Sequence, residues 1–412
     1  MELSSAVKFD IEAIRGKFPV LNQKVNGKPL IYFDNAASSQ TVDTVVQSLL
    51  EFYEKDHANI HRGIHTLAER STKAYEETRR RVHQFINSAE VEEIVFTKGT
   101  TESINLVAQS WGSINLHEGD EIILSHLEHH SNIVPWQLIA KQRGATIKVI
   151  PVNDQGELEL EAYRKLLSSK TKMVAVNYIS NSLGTINPVH EIIQLAKQFD
   201  SATLIDAAHA APHLKIDVQD LDCDFLAFSS HKMYGPTGVG ILYGKREILE
   251  AIPPYQGGGE MIKDVSFDGT SYNDIPYKFE AGTPNIGDVI SLTKAIDFIE
   301  ELGHEAIQAH EQELLTYATE KLNKIDGFRP VGTAKSKASV ISFLIEGIHS
   351  YDLGQLLDVK GIAVRTGHHC TQPLMDHFGI DGTVRASFSV YNTKEEVDDF
   401  CVALQQIIDR FR

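Results

Sequence analysis

The sequence predicts an α/β protein, with a mainly parallel sheet wrapped by helices and a smaller second domain. Three observations predict it. Short β-branched runs alternate with longer stretches of helical periodicity through the first half of the chain, the pattern of a sheet covered on both faces. The sheet signals fade after residue 243, and a second set of strand and helix signals follows residue 302. The length, 412 residues, suggests two or three domains at roughly 150 residues each.

The elements follow in order. Residues 93–97 read as a strand before a helical pattern over 100–111, and 121–125 as a strand before one over 132–142. Strand runs at 146–150, 172–176 and 202–206 continue the series, with a helix over 189–199 between the last two. Two further strands are read at 225–229 and 239–243. Residues 255–285, rich in Gly, Asp and Tyr without periodicity, read as a structured loop region, and 287–302 as a long helix. Strands at 340–345 and 362–364 and an amphipathic helix from Lys394 make the smaller domain.

Composition narrows the function. Thirty-nine Lys+Arg against 56 Asp+Glu leave a net charge of −17, which repels nucleic acid and anionic membranes. Three cysteines cannot frame a disulfide fold, so a reducing compartment is expected. Met1–Ser5 carries no basic or apolar signal-peptide pattern, and no apolar run approaches the roughly 18 residues of a membrane span. The expectation is a soluble, cytoplasmic protein.

In a parallel α/β sheet, ligands sit at the carboxyl ends of the strands, so residues just past each strand carry the chemistry. Lys232 follows 225–229 and precedes a Gly-Pro turn; Asp206 ends 202–206. Either alone has an ordinary reading, as a solvated lysine or a helix-capping acid. Together they are what a pyridoxal phosphate site requires: an amine to hold the cofactor as a Schiff base, and a carboxylate to keep its ring nitrogen protonated. Residues 98–103, with Thr100 and Thr101, join a strand to a helix N-terminus suited to a phosphate, and Ser229 and His231 flank the lysine as further donors. No nucleotide P-loop is present, and Gly257–Gly259 follows no strand.

With these residues the chain resembles the pyridoxal-phosphate enzymes of the class V aminotransferase family, of aspartate aminotransferase-like (type I) fold. Within them it is most similar to the SUF-type cysteine desulfurases and selenocysteine lyases. The resemblance runs from about Phe18 onward. It includes 32–37 (YFDNAA), 61–66 (HRGIHT), 128–136 (EHHSNIVPW), 279–285 (FEAGTPN) and, most specifically, 365–370 (RTGHHC). It implies a large domain at 26–298 with a seven-stranded sheet, a small domain at 299–412 carrying the Cys370 loop, and an N-terminal segment at 1–25 packing on the small domain.

The resemblance also implies roles. Lys232 and Asp206 would hold the cofactor, and His129 would stack on its ring and move protons. Thr100, Thr101, Ser229 and His231 would bind its phosphate, with Thr283 reaching in from the partner of a homodimer. Arg385, with Asn181 and Arg365, would bind the carboxylate of L-cysteine or L-selenocysteine. Cys370 would take the sulfur as a persulfide and pass it to an acceptor protein of the SUF system. His209 stands where glutamine is usual, its imidazole facing the cofactor's phenolate oxygen. Ser230 stands where glycine is usual, and adds a hydroxyl near the phosphate.

Alternatives remain at this stage. His129 and His130 read equally as polar loop residues, and Arg385 as the partner of a structural carboxylate. A metal site at His368-His369-Cys370 is disfavoured, because adjacent residues rarely converge on one ion. Cys401, on the apolar stripe of the last helix, and Cys223, on an alternating strand, read as structural. A pyridoxal-phosphate enzyme without persulfide chemistry, or an inactive scaffold, are the competing functions.

Overall fold

The computed structural model describes residues 9–411; Met1–Ser5 and the rest of residues 1–8 lie outside them. Seven strands form one sheet: β1 (Ile94–Thr97), β2 (Glu121–Ser125), β3 (Thr146–Ile150), β4 (Thr171–Asn177), β5 (Ala202–Asp206), β6 (Phe225–Ser229) and β7 (Gly240–Gly244), in the order β1-β7-β6-β5-β4-β2-β3. β3, β2, β4, β5 and β6 pair in parallel, whereas β7 runs antiparallel to both β1 and β6.

The strands are apolar because helices cover both faces, and their side chains alternate between two cores. Phe96, Ile123, Val174, Ile205 and Phe228 enter one; Val95, Leu124, Ala175, Leu204 and Ala227 enter the other. Each of the two wide layers buries strands completely: Val174, Ala175, Leu204 and Ile205 have no exposed surface. Helices Thr66–Phe85 and Ile286–Leu302 close one face. The expected junction at 298/299 falls inside the latter helix, which ends only at Gly303, a left-handed residue (φ 78°).

A second sheet, β8 (Phe328–Val331), β9 (Val340–Ile345), β10 (Arg365–Gly367) and β11 (Thr383–Ser387), has the order β8-β9-β11-β10 and is antiparallel throughout. Its core joins Phe343, Val384 and Ala386 to Phe400 and Leu404 of helix Lys394–Phe411. The two ends of the chain are stitched here: Ile31–Tyr32 pairs in parallel with Ile362–Ala363. Arg15 donates to the Tyr391 carbonyl and to Glu396.

The region 255–285 is not all loop. It contains a hairpin, Ile262–Ser266 with Gly269–Tyr272, bearing a fully exposed Phe267. Every residue of it but one is exposed, so it carries no alternation of apolar and polar positions for the sequence to display. Among the described residues, no helix is long and apolar enough to cross a membrane.

Candidate active site

The carboxyl ends of β4, β5 and β6 open into a cavity of about 310 Å³, faced from the other side by β10, β11 and the Cys370 loop. Every residue expected at the site lines this cavity except Thr283 and Ser230. Thr283 is exposed and lies with Lys98, Glu102 and Glu280 in a separate cleft.

Lys232 ends a 3₁₀ turn that follows β6 directly. Two residues on, Tyr234 is left-handed (φ 66°), a conformation that costs a non-glycine residue about 1 kcal/mol or more. Packing supports it: the Tyr234 ring is fully buried against Phe18 and Phe298, and its hydroxyl lies 3.0 Å from Ser389 Oγ. The lysine therefore stands on a rigid turn. Burial pulls its amine down to about 8, with Arg385 adding to the effect and Asp206 opposing it.

Asp206, the last residue of β5, is buried, and its Oδ1 accepts from the Ala208 N–H at 2.9 Å. Burial raises its pKa. His209 Nε2 lies 3.0 Å from Lys232 Nζ. Burial, with the Lys232 and Arg385 charges, holds His209 far below the usual imidazole range, so it is neutral. That excludes the imidazolium and leaves a neutral ring with one donor and one acceptor nitrogen.

The turn Lys98–Thr100 leads from β1 into helix Thr100–Asn115. Ser229 Oγ accepts from the Thr100 N–H at 2.8 Å and lies 2.7 Å from Thr100 Oγ1, which ties this helix start to the strand carrying Lys232. The fit depends on Gly240: a Cβ there would stand 2.4 Å from Gly99 Cα. His231 Nδ1 lies 3.2 Å from Ser38 Oγ. Ser230 does not add a hydroxyl to the cavity. It is fully buried, and its Oγ donates to the Pro236 carbonyl, with the Val239 carbonyl, which accepts from the Ser230 N–H, also within reach.

His129 Nδ1 accepts from the Ser131 N–H at 3.0 Å, which leaves the ring proton on Nε2. Burial, reinforced by Lys232 and His130, takes its pKa down to about 3. The preceding Glu128 is wholly buried; its carboxyl accepts from Ser125 Oγ, Asn132 Nδ2 and the Asn177 N–H at 2.5, 2.7 and 3.0 Å. Burial raises it to about 8. Glu128 thus pins the His129 turn to the ends of β2 and β4.

Arg385 on β11 is buried. Its Nη1 donates to the Asn181 carbonyl at 2.9 Å and its Nη2 to Asp34 Oδ1 at 3.1 Å, while Nε has no partner among the described residues. Arg365 forks onto the same Asp34 carboxylate at 2.8–3.1 Å. Arg385 thus faces the cavity and pairs with a carboxylate of the chain itself. Asp34 was named only within a motif. The signal for its role was an acid just past a short apolar strand, with two arginines elsewhere in the chain. Ser131 and Asn177 also line the cavity without having been singled out.

Cys370 is exposed on the cavity rim. Cys223 has no exposed surface, and burial pushes its thiol up to about 12. Cys401 is half-buried, at the edge of the helix face whose centre is Val397, Phe400 and Leu404, with its thiol raised to about 11.

Residues 31–400 match the class-V aminotransferase family. The chain is 50% identical over 404 residues to a cysteine desulfurase of Synechococcus elongatus, a match covering 98% of this chain and 64% of the relative's length. It is 48% identical to a probable cysteine desulfurase of Halalkalibacterium halodurans, over 97% of this chain and 98% of that one. Its structure superposes on a cysteine desulfurase of Thermococcus onnurineus, solved in its apo form, with a TM-score of 0.92 and 41% identity over the whole of both chains. On the cysteine desulfurase CsdA of Escherichia coli the values are 0.91 and 39%, over 97% and 99% of the chains. The strand-end lysine and aspartate, the buried arginine and these matches agree that the chain belongs to the class-V aminotransferase family.

Proposed function

We propose that the chain is a pyridoxal-phosphate-dependent cysteine desulfurase that converts L-cysteine to L-alanine and receives the sulfur as a persulfide on Cys370. One observation carries the proposal: an exposed cysteine from the smaller sheet's side faces the same 310 Å³ cavity as Lys232, Asp206 and Arg385. The donor set fits the cofactor. Lys232 offers an amine for its aldehyde, Asp206 a buried carboxylate for its ring nitrogen, and His129 an aromatic face. Thr100, Thr101, Ser229 and His231 offer donors for its phosphate at a helix N-terminus. When bound, the cofactor supplies an electron sink for the substrate's carbon skeleton.

The chain's residues do the rest. The substrate carboxylate binds Arg385, whose Nε is unpartnered, with Asn181 beside it. Cys370 attacks as thiolate; the new S–S bond forms as the substrate C–S bond breaks, and its electron pair stays on carbon. That carbon then takes a proton, from His129 Nε2 or through it, to become the methyl of alanine.

Selenocysteine is the second substrate in this reading, because the same attack cleaves a C–Se bond. The sulfur passes to an acceptor protein of a SUF-type system, in the cytoplasm. The enzyme works as a homodimer in which Thr283, exposed and outside its own cavity, serves the partner's phosphate site; that exposure supports the reading. Residues 26–298 and 299–412 act as large and small domains, and the described part of the 1–25 segment, from Phe9, reaches the small one through Arg15; residues 1–8 lie outside the described residues.

The test is the mass of the Cys370 peptide after anaerobic incubation with pyridoxal phosphate and L-cysteine. A gain of one sulfur atom, absent in Lys232→Ala, is expected. No gain in protein that carries its cofactor would move the reading to another amino-acid reaction.

A further inference from the structure

Cys370 sits on a strained loop. His369 and Cys370 are both left-handed (φ 51° and 56°), an arrangement two consecutive non-glycine residues keep only when their surroundings hold it. On the small-sheet side, His369 Nε2 lies 2.8 Å from Thr383 Oγ1, and the Cys370 N–H donates to His368 Nδ1 at 3.1 Å. Two residues from the large sheet grip the loop from above. Asn181 Nδ2 donates to the His369 carbonyl at 2.7 Å. His130 grips twice: its N–H donates to the Cys370 carbonyl at 2.8 Å, and its Nε2 accepts from the Gln372 N–H at 3.2 Å.

The second bond has a specific need behind it. Gln372 opens the short helix Gln372–Phe378, and its N–H is among the donors a helix start leaves without an internal partner. Thr371, at the capping position, makes no side-chain cap; its hydroxyl donates to the His368 carbonyl instead. The cap comes from His130, 242 residues away in sequence. The turn carrying His130 is anchored in its turn, because Glu128 holds Asn132 and the end of β2. The His130 ring also lies 5.6 Å from that of His368, so it covers the loop it holds.

We infer that His130 is a positioning residue for Cys370: its Nε2 caps the helix after the cysteine and so latches the strained loop over the cavity. It touches neither substrate nor reacting sulfur. Its meaning for turnover rests on the desulfurase reading, but its effect on the loop does not. The acceptor at Nε2 carries the latch, so a side chain of similar reach with an acceptor oxygen restores it, and one without does not.

The experiment is hydrogen exchange of the 366–378 region, read by mass spectrometry in the cofactor-loaded full chain without substrate, for the native protein, His130→Ala and His130→Gln. Loss of one capping bond is expected to lower protection at Gln372 about fivefold in His130→Ala, and His130→Gln is expected to recover most of it. With L-cysteine, kcat of His130→Ala falls at least fivefold, KM stays within twofold because Arg385 is untouched, and His130→Gln recovers kcat. Unchanged protection and kcat in His130→Ala would overturn the inference. So would a glutamine variant no better than alanine, since ring volume and not the acceptor would then matter. If the native protein gains no sulfur while the protection pattern appears as expected, the desulfurase reading fails and the latch stands.

Discussion

Replacing Asp34 by asparagine removes the one carboxylate shared by two arginines and keeps its shape. The structure sets the cost. Arg365 is nearly half exposed, so its pair with Asp34 is worth at most about 1 kcal/mol. Arg385 has a side chain 2% exposed and loses its ion-pair partner, with a carbonyl around it and an Nε that has no partner among the described residues. Leaving a buried charge uncompensated costs about 3–5 kcal/mol, and the amide oxygen still accepts a bond, so the lower figure applies. A loss of about 3 kcal/mol lowers the melting temperature of a 412-residue chain by roughly 3–4 °C. Burial already draws the Arg385 guanidinium down to about 10, with Asp34 opposing that shift. The assay is calorimetry of native and Asp34→Asn protein with and without a simple monocarboxylate such as acetate. The anion should recover more of the melting temperature in the variant than in the native chain, because it replaces the missing charge. An unchanged melting temperature, or equal recovery in both proteins, would refute the reasoning.

Two further outcomes follow from the cavity walls. Burial depresses the Lys232 amine from 10.5 to about 8, so the fold penalises its protonated form; the penalty is complete below pH 8 and vanishes as pH rises to 10.5. Uptake of pyridoxal phosphate by cofactor-free protein, followed by absorbance, should therefore accelerate with a midpoint near pH 8, and a midpoint near 10.5 would contradict it. Gly240→Ala should weaken pyridoxal phosphate binding at least tenfold and destabilise the protein by about 1–3 kcal/mol, since the new methyl displaces Gly99 and with it the Thr100 turn. Equilibrium dialysis and thermal unfolding check the two parts.

The sheet was legible because its strands are buried on both faces, so runs such as Leu204–Ile205 and Phe225–Phe228 are apolar and end at Asp206 and Ser229, where the chemistry begins. The hairpin at Ile262–Tyr272 was not, since exposed strands leave no hydrophobic period. Residues acting through local bonds were legible too: Lys232 and Asp206 announce themselves by position. Asp34 did not, because its partners lie 331 and 351 residues away and no spacing records such a pair. Ser230 was misread toward the cavity because a side chain's direction on a tight turn is set by which carbonyls need a donor. Neutral His209 could be resolved only once the surrounding charges of Lys232 and Arg385 were in place.

The pairing of Ile31–Tyr32 with Ile362–Ala363, and of Asp34 with Arg365 and Arg385, has a bearing on synthesis. On a ribosome, the lysine and aspartate emerge and their sheet can form well before residue 365 exists. The carboxylate clamp cannot close until β10 and β11 exist and Ser387 of β11 returns to Phe33, beside Asp34, the kind of long-range closure that slows folding. A half-made chain could therefore bind its cofactor while lacking both the clamp and the nucleophile. On the desulfurase reading, the order of translation would keep the reaction off until the smaller sheet has docked.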